Sequence, residues 1–274
     1  MTPGPLLTRT KQWLKKYDIR ISKRLGQHFL VDEGVLNRII QHAHLSPNEQ
    51  ILEIGTGNGV LTKALVKHVQ RVYTIEKDTT LFQILSEELG AETRIQLVHG
   101  DATKIDWPQC DKLVANLPYA ISSPVLFKFF DSKILLALVM LQKEFGQRLT
   151  AQPGSREYGR LTVMAAYHAT VDLVEIIKPD SFYPPPGISS ALVRITRKAQ
   201  PTFEVKDFEL FKQVVTILFN QRRKKIRSPL KAFLGSHEFN HIQTQIPNLN
   251  QRVEELSPRQ IANISNILSE ARAS

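Results

Sequence analysis

At 274 residues, with 42% hydrophobic and 23% charged content, the chain has the make-up of a globular protein with one large domain, or a main domain and a small appendage. Its longest apolar run, Ile134 to Leu141, is far shorter than the roughly 18 residues of a membrane span. The basic start lacks the apolar stretch of about 7–15 residues that marks a secretory signal, so a cytoplasmic location is expected.

The net charge of +10 is concentrated in two places. Residues 1–30 carry seven Lys/Arg against one Asp, and residues 212–231 carry seven against no acid, which is the footprint of a nucleic-acid binder. A single cysteine, Cys110, excludes an internal disulfide and is expected to be inert, and no metal is expected.

From residue 50 onward, short β-branched runs alternate with longer amphipathic stretches. The pattern predicts strands at QILEI, RVYTI, RIQLVH, DKLVA and LLALVMLQ. The predicted helices between them cover about Val60–His68, Thr80–Leu89 and Ser123–Phe130. Such alternation implies βαβ units and a parallel sheet covered on both faces. A further helix is predicted at YGRLTVMAAYH, then strands at VDLVEII and ALVRIT, separated by the proline-rich KPDSFYPPPGISS. RKAQPTFEVKD reads as a linker, followed by helices only: one long stretch from Phe208 to about Leu234, and one opening at Ser257-Pro258. The expected domains are therefore 1–198, with a basic extension over 1–30, and a helical 199–274.

Four sites in this pattern carry chemistry. ILEIGTGNG places Gly55, Gly57 and Gly59 where the first strand turns into a helix, so a ligand can approach the backbone and free N–H groups face it. Glu76 closes the second strand, where a carboxylate can accept both hydroxyls of an adenosine ribose. Asp101 follows the third strand and can accept the adenine amine. These residues admit either a nicotinamide dinucleotide or S-adenosylmethionine, since both contain adenosine. The fourth site is NLPY, residues 116–119, directly after an apolar strand. An Asn buried there without a partner costs about 1–3 kcal/mol, which asks what its amide binds.

The ordered set KRLGQHFLVD, ILEIGTGNG, IEKD, HGDATKID, NLPYAISSP, YGRLTVM, FYPPPGISSALVR and FNQRRKKIR resembles the small-subunit rRNA adenine N6,N6-dimethyltransferases, the KsgA family, over residues 23 to about 230. Its spelling leans toward archaeal or eukaryotic members. The resemblance implies an α/β fold, a Rossmann-like class I methyltransferase with a mostly parallel seven-stranded sheet, plus a small all-α C-terminal domain that binds RNA. It implies S-adenosylmethionine as methyl donor, and as partner the small-subunit rRNA of an immature small ribosomal subunit, with the protein a monomer.

The resemblance assigns Gln27, His28, Leu30, Gly55, Gly57, Glu76, Asp101, Ala102 and Asn116 to the cofactor. It makes the N6 amine of a target adenosine the partner of Asn116 and of a carbonyl at Leu117 or Pro118, with Tyr119 and Phe182 stacking on the two faces of the base. Arg222, Arg223, Lys224, Lys225 and Arg227, with the basic N-terminus, would grip rRNA phosphates. Thr56 departs from the family's usual Pro, and Ala120 from a common Asn. Three other readings stay open: a large-subunit rRNA methyltransferase, an assembly factor whose catalysis is dispensable, and an NAD-dependent oxidoreductase.

Overall fold

The structure is a computed structural model and describes residues 4–22 and 25–273. The chain forms two compact units: residues up to 146 together with 171–197, and residues 147–170 together with 198 onward. The expected boundary near 198 is one crossing point. The segment 147–170, expected to belong with the first domain, folds instead with the helical unit. Its apolar residues, Leu161 to Tyr167, pack against later helices, and sequence periodicity carries no sign of that crossing.

The first unit opens with α1 (Pro5–Lys16), β1 (Phe29–Leu30) and α2 (Glu33–Ala43). Neither α1 nor α2 was expected. α1 presents the narrow stripe Leu6, Thr10 and Leu14 inward, and Leu14 joins Trp13, Phe29, Leu81 and Leu85 in one apolar cluster. α2 begins where the Asp32 carboxylate accepts from Val35 N–H at 3.1 Å.

There follow β2 (Gln50–Ile54), α3 (Val60–Leu65), β3 (Arg71–Glu76), α4 (Thr79–Leu89), β4 (Ile95–His99), β5 (Lys112–Asn116), α5 (Ser122–Asp131), β6 (Leu136–Gln142) and α6 (Lys143–Arg148). After α7 (Arg160–His168), the sheet is completed by β7 (Ala169–Ile177) and β9 (Ser190–Arg197), while the two-residue β8 (Phe182–Tyr183) pairs antiparallel with β1. α3 ends three residues earlier than the periodicity predicts.

The seven-stranded sheet runs β4-β3-β2-β5-β6-β9-β7. β4, β3, β2, β5 and β6 are mutually parallel, and β9 is antiparallel to β6. Burial on both faces explains why β2, β5 and β6 read as continuous apolar runs rather than alternating ones. Strand order reverses between β2 and β5, since β3 and β4 extend the sheet one way and β5 and β6 the other. In such sheets the crevice at the carboxyl ends of the two diverging strands is where ligands bind. Those ends are Gly55 and Asn116.

The second unit contains α7, α8 (Phe208–Asn220), α9 (Arg227–Ile242) and α10 (Pro258–Ala273). Tyr167 sits among Phe203, Phe208 and Phe211, and the fully buried Tyr158 donates its hydroxyl to Leu256 O at 2.7 Å. His237 and His241 lie one turn apart on α9, but no group of three or more His, Cys, Asp or Glu that could hold a metal exists among the described residues. No helix of the described residues is long and apolar enough to cross a membrane.

Candidate active site

β2 carries its run Ile51-Leu52 into Glu53-Ile54 and then turns sharply at Gly55. Gly55, Gly57 and Gly59 all have positive φ, which L side chains rarely adopt. A Cβ on Gly55 would come within 3.3 Å of the Pro118 ring, so this glycine also allows the two loops of the crevice to close on each other. The loop is held by Gly55 N–H donating to Ile75 O at 2.9 Å and Gly57 N–H donating to the Glu76 carboxylate at 3.0 Å.

Glu76 is buried, and its other oxygen accepts from Asp78 N–H at 2.9 Å. Burial raises its pKa against the pull of these backbone donors. Asp101, at the end of β4, is different. Thr103 donates both its hydroxyl and its N–H to Asp101, and Lys77 lies 2.9 Å away, so the carboxyl is held well below its ordinary range and stays an acceptor.

One pocket is lined by Gln27, His28, Leu30, Gly55, Gly57, Glu76, Asp101, Ala102, Asn116, Leu117, Pro118 and Tyr119, which brings together every residue assigned to the cofactor and four of the five assigned to the target base. The Asn116 amide N–H donates to His28 O at 3.1 Å, which fixes the amide's orientation and leaves Oδ1 as the acceptor. His28 Nδ1 lies 2.7 Å from Pro184 O, and its ring sits 5.9 Å from that of Tyr119, tilted by 31°. Gln27 accepts from Ser22 N–H and donates to Asp78, so it staples the N-terminal loop to the start of α4.

Two assignments need correction. Phe182 is only 3% exposed and packs in the core with Leu30, Ile177 and Leu192, outside the pocket. Pairing of β8 with β1 sets Phe182 opposite Leu30, and adjacent strand residues face opposite sides, so the ring turns inward. The aromatic ring beside Tyr119 in this pocket is that of His28. The second correction concerns the basic run, which is not helical: α8 ends at Asn220 and α9 starts at Arg227, leaving 221–226 as a turn anchored by the buried Ile226. Arg222 is committed within its own unit, paired with Glu254 at 2.7 Å and donating to the carbonyls of Arg156 and Ser155. Arg227 donates to Gln243 and lies over the Phe239 ring. Arg223, Lys224 and Lys225 are the exposed cations of the turn.

Sequence reasoning missed a buried polar cluster below the glycine loop. Glu53, 1% exposed, accepts from the Thr62 hydroxyl at 2.5 Å, and the Thr56 and Thr74 hydroxyls are 2.7 Å apart. Burial pushes Glu53 up to about 8. The one signal for it was a carboxylate inside an otherwise apolar strand. Thr56, the departure from the family's Pro, thus ties the loop to β3 through a hydroxyl where Pro would stiffen it through its ring.

A sheet that reverses order at β2/β5, a glycine loop at that switch point, and acceptors at the ends of β3 and β4 are the frame of a class I methyltransferase that uses S-adenosylmethionine. The residues present fit that cofactor: two carboxylate acceptors, Glu76 and Asp101, line one pocket with the glycine turn, a donor set suited to a ribose and an adenine amine. Residues 19–270 match the family described as Ribosomal RNA adenine dimethylase, and the chain belongs to that family.

It is 37% identical over 265 residues to a probable ribosomal RNA small subunit methyltransferase A of Methanosarcina mazei, covering 95% of this chain and 97% of the relative. The protein of the same description from Pyrococcus abyssi is 39% identical over 266 residues, covering 94% and 96%. Among solved structures, a dimethyladenosine transferase from Plasmodium falciparum aligns with TM-score 0.75 at 25% identity, covering 89% of this chain and 98% of that one. The 23S rRNA methyltransferase ErmE aligns with TM-score 0.63 at 26% identity, covering 88% and 99%.

Proposed function

We propose that this enzyme transfers methyl groups from S-adenosylmethionine to N6 of two adjacent adenosines near the 3′ end of small-subunit rRNA, giving N6,N6-dimethyladenosine in an immature subunit, and that it acts as a cytoplasmic monomer. The observation that carries the reading is the oriented Asn116 amide, placed across the switch point from the glycine loop. An adenine amine is a poor nucleophile because its lone pair is delocalised into the ring. Acceptors at Asn116 Oδ1 and a carbonyl of Leu117 or Pro118 draw its hydrogens out of the ring plane and concentrate the lone pair on nitrogen.

Bound S-adenosylmethionine supplies an electrophilic sulfonium methyl. Glu76 and Asp101 hold its ribose and adenine in this reading, while Gln27, His28, Leu30 and Ala102 close the pocket around it. No side chain near NLPY needs to act as a strong base, because the amine loses its proton after attack. Catalysis then rests on positioning and on acceptors for developing positive charge. Tyr119 stacks on the base, while Arg223, Lys224 and Lys225, with the basic N-terminal helix, grip rRNA phosphates.

The test is transfer of labelled methyl from S-adenosylmethionine into undermethylated small subunits, followed by mass analysis of nucleosides. N6,N6-dimethyladenosine should form with the intact protein and be abolished or reduced by about 10²-fold in Asn116→Ala, the size of effect seen on removing one transition-state acceptor or donor. Methylation of free large-subunit rRNA in preference would overturn the target. Tight subunit binding with no transfer would favour an assembly factor.

A further inference from the structure

Tyr119 is held at two points. Its backbone closes a short turn in which Ile121 N–H donates to Pro118 O at 3.0 Å, and its hydroxyl lies 2.6 Å from Ser190 Oγ. Ser190 is fully buried. It is the first residue of β9 and stands opposite Gln142 at the end of β6, beside Ser189, whose carbonyl accepts from Lys143 N–H at 3.0 Å. The serine is thus fixed on a rigid sheet position, whereas Tyr119 belongs to an irregular turn. A phenol ring attached only at Cβ can swing about its first torsion, and a bond to the hydroxyl, which lies on the axis from Cβ through the ring, holds the direction in which the ring points. One hydroxyl–hydroxyl bond provides that hold here.

We propose that Ser190 is a positioning residue for methyl transfer, acting through Tyr119 to hold in one place the ring on which the target adenine stacks. The proposal rests on the adenine-N6 reading above. Ser190 touches neither the base nor the methyl donor, so its removal should leave cofactor binding alone and affect the alignment of the amine. Misalignment lowers the population of base poses in which the amine faces the methyl group, which is read in kcat more than in cofactor affinity.

The experiment is a double-mutant cycle with Ser190→Ala, Tyr119→Phe and the pair, measuring kcat and KM on undermethylated subunits, the dissociation constant for S-adenosylmethionine, and Tm. Each single variant should lose about three- to tenfold in kcat/KM, the loss expected for one hydrogen bond. The double should lose no more than the worse single, with cofactor affinity within about twofold of wild type, because both changes remove the same bond. Losses that multiply in the double, wild-type kinetics in Ser190→Ala, or a fall in cofactor affinity matching the fall in rate would each overturn the role of Ser190. Absence of adenine methylation by the wild-type protein would instead overturn the reading beneath it, and the proposal with it.

Discussion

Glu53 should make this protein lose stability as pH rises toward neutrality, and Glu53→Gln should remove that loss. The carboxyl is fully buried, its ordinary value is 4.5, and burial raises it to about 8. Glu76 nearby adds like-charge repulsion in the same direction. The native state therefore keeps a proton on Glu53 that the unfolded chain releases above 4.5, so folding takes up a proton between those limits. Stability is greatest below about 4.5 and is lost as pH climbs to about 8.

One pKa unit corresponds to about 1.4 kcal/mol, so between pH 5 and pH 7.5 this group alone should cost about 3 kcal/mol. Glutamine keeps the volume, can accept from Thr62, and has no proton to lose. Urea denaturation of wild type and Glu53→Gln at both pH values reads the effect of Glu53 together with its coupling to Glu76, since the remaining titrating groups are common to the two proteins. The variant should gain about 3 kcal/mol on wild type between the two conditions. Parallel pH profiles would show that Glu53 is ionised in the folded protein and that the cluster beneath the glycine loop is not the dry environment described.

The rest of that cluster gives a second prediction: Thr74→Val removes the hydroxyl facing Thr56 at 2.7 Å, and should weaken S-adenosylmethionine binding by about three- to tenfold in equilibrium dialysis. Thr56→Pro in the same background should recover most of the loss, since a fixed φ replaces the lost tether. In the basic turn, replacing Arg223, Lys224 and Lys225 together by Ala should lower the slope of log K against log salt for rRNA binding by about 2, at roughly 0.7–0.9 per phosphate contact. Arg222→Ala should leave that slope unchanged and lower thermal stability, because it breaks the Glu254 pair and two carbonyl contacts, worth about 1–3 kcal/mol.

The parts of the site legible in sequence are those where a polar or glycine residue interrupts an apolar strand. In a sheet buried on both faces, Ile51-Leu52 and Leu113 to Ala115 leave polar side chains to the strand ends. Gly55, Glu76 and Asn116 stand out for that reason, and the parallel arrangement forces their ends onto one edge. Glu53 breaks the same rule one residue earlier. Nothing in the chain order shows that Thr62 and Thr74 converge on it. In sequence α1 looks like a basic tail because its buried stripe is only three residues wide and Arg9, Lys11, Lys15 and Lys16 lie outside it.

Phe182 and Arg222 fail for the opposite reason: each belongs to a motif whose type suits the function, while its position decides its contacts. An aromatic among prolines near a pocket reads as a stacking wall, yet the two-residue pairing of β8 with β1 sends it into the core and leaves Tyr183 on the other side of the strand. An arginine at the head of a basic run reads as a phosphate ligand, yet with Glu254 and two carbonyls within reach its five donors are largely satisfied inside the protein. The same logic makes Ser190 visible only in three dimensions. In sequence it is one of two serines after a proline loop, and in the structure it is the fixed point against which a ring in an irregular turn can be held. Residue type can thus nominate the chemistry of this site. Its alignment comes from partners 50 or more positions away in the chain, as in Tyr119 with Ser190 and Asn116 with His28.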